Sequence, residues 1–128
     1  EESDYLPHNY THNCVVYTGT HDNDTVMGWY GTLKGADKKL CDDYLRLKNA
    51  DGEPIPREQL PWEFVRAAMS SVADLAIIPM QDYLGLGSEA RINIPSTLGI
   101  NWKWRMGNGD FTKELAGRIR SMTKLYGR

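Results

Sequence analysis

The chain has 128 residues, 41% hydrophobic and 25% charged, which is the make-up of one soluble folded domain and excludes disorder along its whole length. Its formal net charge is -2 and its Lys and Arg residues form no block, so it lacks the clustered basic face that nucleic-acid binding requires. The longest apolar run, Leu75 to Met80, is far too short to span a membrane, and the acidic start Glu1-Glu2-Ser3-Asp4 is unlike a secretory signal, so the expected location is the cytoplasm with no membrane partner.

In chain order, Glu1 to Asn13 is polar and is broken by Pro7. Cys14 to Tyr17 is a short apolar run of β-formers and reads as a buried strand of the parallel-sheet kind. A polar cluster, Thr20-His21-Asp22-Asn23-Asp24, follows at its C-terminal end. A short helix over Thr25 to Leu33 is interrupted by Gly28 and Gly31, and a better one runs from Ala36 to Asn49 with Leu40, Tyr44 and Leu47 on one face. Ala50 to Pro61 reads as a loop, because Asp51-Gly52 is a turn signal and three prolines forbid regular structure. Pro61 suits the start of the next helix, whose face is Trp62, Val65, Met69 and Val72.

Asp74 to Met80 is the second strand, continuous and apolar enough to be covered on both faces, and it opens into the polar pair Gln81 and Asp82. Tyr83 to Met106 is long and irregular, which marks a functional or docked segment. The last helix, Asp110 to Tyr126, takes Asp110 as its cap and Leu115, Ile119, Met122 and Tyr126 as its apolar face. The basic residues from Arg118 to Arg128 read as that helix's solvated side. Two strands alone make no satisfactory sheet, so the chain reads as a helix-rich piece of a larger α/β domain. Cys14 and Cys41 lie too far apart and too differently placed for a disulfide framework and read as free thiols in a reducing compartment.

Polar residues at the mouth of a buried strand are where barrels and open α/β sheets place their chemistry. Asp22 there can stabilise a developing positive charge, act as acid or base, or bind a metal; equally, Asp22 or Asp24 can simply cap the following helix. His8, His12, His21 and Asp22 are a weak metal set, because an i, i+4 histidine pair without a third ligand in register has little specificity. Gly85-Leu86-Gly87-Ser88 is a turn rather than a phosphate loop, since it lacks a third glycine and a helix opening on it. Asn101-Trp102-Lys103-Trp104-Arg105 puts two indoles on one side of an extended segment, where they either stack on sugar rings or bury.

Three motifs carry a resemblance. Tyr17-Thr18-Gly19-Thr20-His21-Asp22-Asn23-Asp24-Thr25 with Gly28-Trp29-Tyr30, then Gln81 to Asn93, then Asn101 to Arg105, resemble in order and spacing the motifs of bacterial 4-α-glucanotransferases, the amylomaltases. The likeness runs over essentially the whole chain. It implies a (β/α)8 TIM barrel, with residues 1–128 a single partial domain holding the last two strands: Cys14 to Tyr17 the seventh, Leu75 to Pro79 the eighth. It implies transfer of α-1,4-glucan segments between maltooligosaccharides by a retaining double displacement, with no cofactor and no metal. By residue match, Asp22 is the catalytic aspartate that favours the oxocarbenium-like transition state, and His21 and Asn93 contact the sugar. The family's nucleophile and acid/base lie upstream, so the chain by itself is expected to be inert and its first partner to be the upstream part of the same enzyme. Ile94 and Ser96 depart from the small or polar residues expected around Asn93 and Pro95. From another class, a non-catalytic glucan-binding module would use Trp102, Trp104 and Asn93 without chemistry, and a metal-dependent hydrolase would centre on the histidines.

Overall fold

The computed structural model describes residues 3–128, so Glu1 and Glu2 of the polar first segment lie outside the described residues. Two short strands, β1 (Val15–Tyr17) and β2 (Leu75–Ile77), pair in parallel with Val15 opposite Leu75, Val16 opposite Ala76 and Tyr17 opposite Ile77. Parallel strands need a long crossover, and here it carries α1 (Val26–Thr32), α2 (Gly35–Tyr44) and α3 (Leu60–Met69). After β2 come a one-turn helix, α4 (Met80–Tyr83), an irregular stretch with a 3-10 turn at Ser88–Ala90, and the closing α5 (Lys113–Leu125).

The central element is α3, because its surface serves three clusters. Ala68 meets Val16 and Ala73 beneath the sheet. Leu60 joins Leu45 and Leu47, with Phe64, Tyr30 and Cys41 around them. Trp62, Val65 and Met69 receive Leu115, Ile119, Met122 and Tyr126 of the last helix, the face expected from their spacing. Val72 does not join them: α3 stops at Met69, and Val72 is 45% exposed beyond it. Pro61 lies in the first turn of α3, where its missing N–H costs nothing.

The strands are parallel, but the expectation that both faces are covered fails within this chain. Side chains alternate across a strand, so Val16 and Ala76 face α3 while Val15, Tyr17, Leu75 and Ile77 share the other face, each at least 42% exposed. No buried hydrophobic cluster among the described residues includes that second face.

The α2 helix ends at Tyr44, five residues before the expected Asn49. The cause is a Schellman ending: the Leu47 N–H donates to Asp42 O at 2.8 Å and the Arg46 N–H to Asp43 O at 3.4 Å, with Arg46 left-handed at φ 55°. Glycine normally fills that position, so the sequence carries no stop signal. Leu47 ends 1% exposed, and its burial offsets the roughly 1–2 kcal/mol that a non-glycine residue costs there. Asp42, also buried, ties α2 to α1 by accepting the Tyr30 hydroxyl at 2.7 Å, with Lys38 and Lys48 nearby. Burial alone would raise its carboxyl, but the Tyr30 and Lys38 hydrogen bonds and both lysine charges outweigh it and hold the group below the usual range.

The cap of α5 is Thr112, whose hydroxyl accepts the Leu115 N–H at 3.1 Å; Asp110 instead accepts the Gly107 N–H one turn earlier. The basic residues of α5 are not all solvated. Arg118 stacks on Trp62 with its guanidinium carbon 3.8 Å from the ring centroid. Arg128 reaches back to donate to the carbonyls of Met69, Ser71 and Ala73 at 2.7–2.8 Å, closing the C-terminus of α3. Among the described residues no helix is long and apolar enough to cross a membrane.

Both cysteines are free and half-buried. Burial, with the neighbouring Asp42 charge, pushes the Cys41 thiol up to about 11. Only about one Cys41 in a thousand is then thiolate at pH 8. Iodoacetamide at pH 8 is expected to spare Cys41 in the native protein and to alkylate it after denaturation, read by peptide mass mapping. Fast native alkylation would mean that the cluster of α1, α2 and α3 opens.

Candidate active site

Both parallel strands run toward the same edge, so the segments after β1 and β2 meet there. A buried carboxylate joins them. Asp82, in α4 just beyond β2, is 1% exposed. Its Oδ2 accepts the Thr18 hydroxyl at 2.5 Å, at the exit of β1, and its Oδ1 accepts the Val26 N–H at 2.9 Å, at the first residue of α1. Burial raises the Asp82 carboxyl above its ordinary value, the two donors partly offset that, and the charge of Asp24 adds to the rise. Gln81 is buried beside it at 4% exposure and donates to Ala90 O at 3.2 Å. The pair expected as a polar mouth is therefore a buried brace.

The residue that caps α1 is neither Asp22 nor Asp24. Thr25 does so, its hydroxyl accepting the Gly28 N–H at 3.1 Å. Asp24 instead accepts the Thr25 N–H at 2.8 Å and the Ser88 hydroxyl at 2.6 Å, a second link between the two post-strand segments. Gly28 lies against this link: a β-carbon there would sit 2.5 Å from Asp24 Oδ2, so only glycine fits without displacing the bridge.

His21, Asp22 and Asn93 come together above this brace. Asn93 Nδ2 donates to Asp22 Oδ1 at 2.7 Å, and His21 Nε2 lies 3.4 Å from the same oxygen. The backbone repeats the connection, with the Asn93 N–H donating to His21 O at 3.1 Å. Arg91 clamps both sides: Nη2 donates to Asp22 O at 2.6 Å and Nε to Asn93 O at 2.9 Å. Asp22 Oδ2 takes no hydrogen bond from the described residues, and the Asp22 side chain is 49% exposed. The result is a carboxylate fixed through one oxygen and open through the other.

The histidines do not converge on a metal. His8 sits in a 3-10 turn, Pro7–Asn9, with Nδ1 2.9 Å from the Tyr44 hydroxyl, and His12 lies outside any helix. No group of three or more His, Cys, Asp or Glu among the described residues could share an ion. The two tryptophans do not share an extended segment either, because Trp102 is left-handed at φ 64°. Its indole is not buried within this chain and stands 5.0 Å from the His21 ring, centroid to centroid. Ser96 is left-handed too, at φ 63°, so the loop after Asn93 bends twice where no glycine announces it.

Residues 1–111 match the 4-alpha-glucanotransferase family. This chain belongs to that family. The 4-alpha-glucanotransferase of Clostridium butyricum is 50% identical over 125 residues, covering 97% of this chain and 24% of that relative. The chloroplastic/amyloplastic 4-alpha-glucanotransferase of Arabidopsis thaliana is 44% identical over 130 residues, covering 99% of this chain and 21% of the relative. The amylomaltase from Streptococcus agalactiae, solved in complex with acarbose, superposes with a TM-score of 0.88 at 34% identity, over 98% of this chain and 24% of that one. The chain thus spans about a quarter of the length of the curated relatives it matches.

A carboxyl whose folded pKa is raised contributes less to stability as pH rises from its unfolded pKa toward the folded one. Asp82→Asn cannot ionise. The stability of the wild type relative to Asp82→Asn is therefore expected to decline as pH rises from the ordinary 3.8 upward, measured by chemical denaturation of the pair. Asp82→Ala, which strands both donors, should cost about 2 kcal/mol or more. A pH-independent difference between wild type and the Asn variant would mean the carboxyl is not desolvated.

Proposed function

We propose that this chain is the C-terminal part of the catalytic (β/α)8 barrel of a 4-α-glucanotransferase, with β1 and β2 as the seventh and eighth strands, and that Asp22, His21 and Asn93 bind the glucan at the cleavage point. The open sheet face supports the barrel assignment. Val15, Tyr17, Leu75 and Ile77 form a contiguous apolar face opposite the helix-backed one, as barrel-interior residues do. The site lies at the C-terminal ends of the strands, the edge where barrel enzymes carry their chemistry. On this reading residues 1–128 form one partial domain that works with the upstream part of the same enzyme.

The single observation that carries the proposal is the asymmetry of Asp22. Asn93 holds Oδ1 at 2.7 Å, while Oδ2 takes no hydrogen bond from the described residues on a side chain that is half exposed. In a retaining transfer, an upstream aspartate attacks the anomeric carbon as an upstream glutamic acid protonates the departing glycosidic oxygen. An acceptor hydroxyl then attacks the anomeric carbon of the glucosyl-enzyme, the bond to the aspartate breaks and frees its carboxylate, and the hydroxyl proton passes to the glutamate and restores the acid. Asp22 accepts hydroxyl hydrogen bonds from the sugar through Oδ2. Its fixed negative charge stabilises the ring as positive charge develops, which helps the transition state more than the ground state. His21 donates or accepts beside it, and Arg91 keeps the two loops in register through their carbonyls.

Disproportionation of maltotriose by the full-length enzyme is the test. The wild type should give glucose and longer maltodextrins, Asp22→Asn should lose about 10²–10³-fold in kcat, and residues 1–128 alone should turn nothing over. An inactive but folded wild type would remove the transferase reading. Glucan affinity in the isolated segment would favour a binding module instead.

A further inference from the structure

The proposed chemistry leaves Trp102 without a role. Its φ of 64° is a conformation that bulky residues rarely adopt, and a strained backbone held in place points to a function for the side chain it presents. Burial of the indole does not account for it, since the residue is 57% exposed. The loop that holds it is well built. The Trp102 N–H donates to Ile92 O at 2.7 Å, one residue before Asn93. Within the loop, the Asn101 side chain accepts the Ile94 N–H at 2.9 Å and donates to Thr97 O and Oγ1 at 3.1 and 2.9 Å. These bonds fix the backbone and deliver the indole beside His21, centroids 5.0 Å apart and planes tilted by 37°.

We propose that Trp102 is a sugar-stacking residue whose indole packs against the pyranose ring of the glucose unit next to the one held by Asp22. This deepens the glucanotransferase reading and rests on it. A pyranose presents an apolar C–H face and a hydroxyl rim. The site offers the matching pair: an exposed aromatic face at Trp102, and polar groups at His21, Asn93 and Asp22 Oδ2. His21, a member of the polar cluster, has its ring 5.0 Å from the indole, so a sugar ring stacked on Trp102 carries its hydroxyl rim beside that cluster. Trp102 thereby sets affinity and register along the glucan, while Asp22 acts on the reacting centre.

The left-handed backbone supplies a clean variant. Glycine is at ease at that φ, so Trp102→Gly keeps the loop and removes only the indole. In the full-length enzyme, Trp102→Gly is expected to keep or raise Tm, to raise KM for maltotriose tenfold or more with kcat within about threefold, and to weaken acarbose binding in parallel by calorimetry. Trp102→Phe, which restores an aromatic face, should recover most of the affinity. A KM and an acarbose affinity both within twofold of an active wild type would overturn the proposal. So would a drop of several degrees in Tm, which would make Trp102 a packing anchor. A wild type that neither disproportionates maltotriose nor binds acarbose would instead overturn the glucanotransferase reading itself, and the stacking proposal with it.

Discussion

A carboxylate taken almost wholly out of water needs donors, and Asp82 finds them in two segments that neither its own strand nor its own helix supplies. The Thr18 hydroxyl fixes where the chain leaves β1. The Val26 N–H fixes where α1 begins. The seven residues between, Gly19 to Thr25, are left with little choice of path, and His21 and Asp22 lie in the middle of that path. The penalty for burying the group is what makes the brace specific: any shift of either segment leaves a buried acceptor without its hydrogen bond.

Above the brace the same logic is repeated with weaker, more exposed groups. Asp24 with Ser88, Arg91 with the Asp22 carbonyl and Asn93 with the Asp22 carboxylate each cross between the segment after β1 and the segment after β2. Single exposed hydrogen bonds of this kind contribute little on their own. Their value lies in number and in shared direction, since every one of them resists the same sliding motion of one loop over the other. Asp22 is thus positioned by its neighbours' backbones as much as by its own side chain. That is how a half-exposed carboxylate can be held as a fixed charge rather than a mobile one.

Much of this was legible in the sequence where periodicity or composition carries it. The two strands, the α3 face at Trp62, Val65 and Met69 and the α5 face at Leu115 to Tyr126 all follow from spacing. His21, Asp22 and Asn93 were singled out by the resemblance of the motifs and not by spacing, and the three side chains do meet. The remainder depended on tertiary competition. Asp82 reads as part of the polar mouth of the second strand, and no local pattern announces that Thr18 and Val26 will come to it. Asp22 and Asp24 looked like helix caps, yet Thr25 is one residue closer to the turn that needs capping. The end of α2 was hidden because arginine occupies a position that glycine usually marks, with Leu47 drawn inward behind it. The bends at Ser96 and Trp102 were hidden for the same reason.

Arg128 has a consequence for the order in which this region assembles. Its guanidinium satisfies the carbonyls of Met69, Ser71 and Ala73, groups made 55 to 59 positions earlier in the chain. During synthesis α3 therefore leaves the ribosome with its C-terminal turn open to water, and it keeps that loose end until the tail of α5 has emerged and folded back. Because α3 also backs the sheet and carries the clusters on either side, Arg128 ties the support of the sheet to the segment that follows α5. The scaffold beneath the loops after β1 and β2 is thus completed by a residue made 55 to 59 positions after the groups it satisfies.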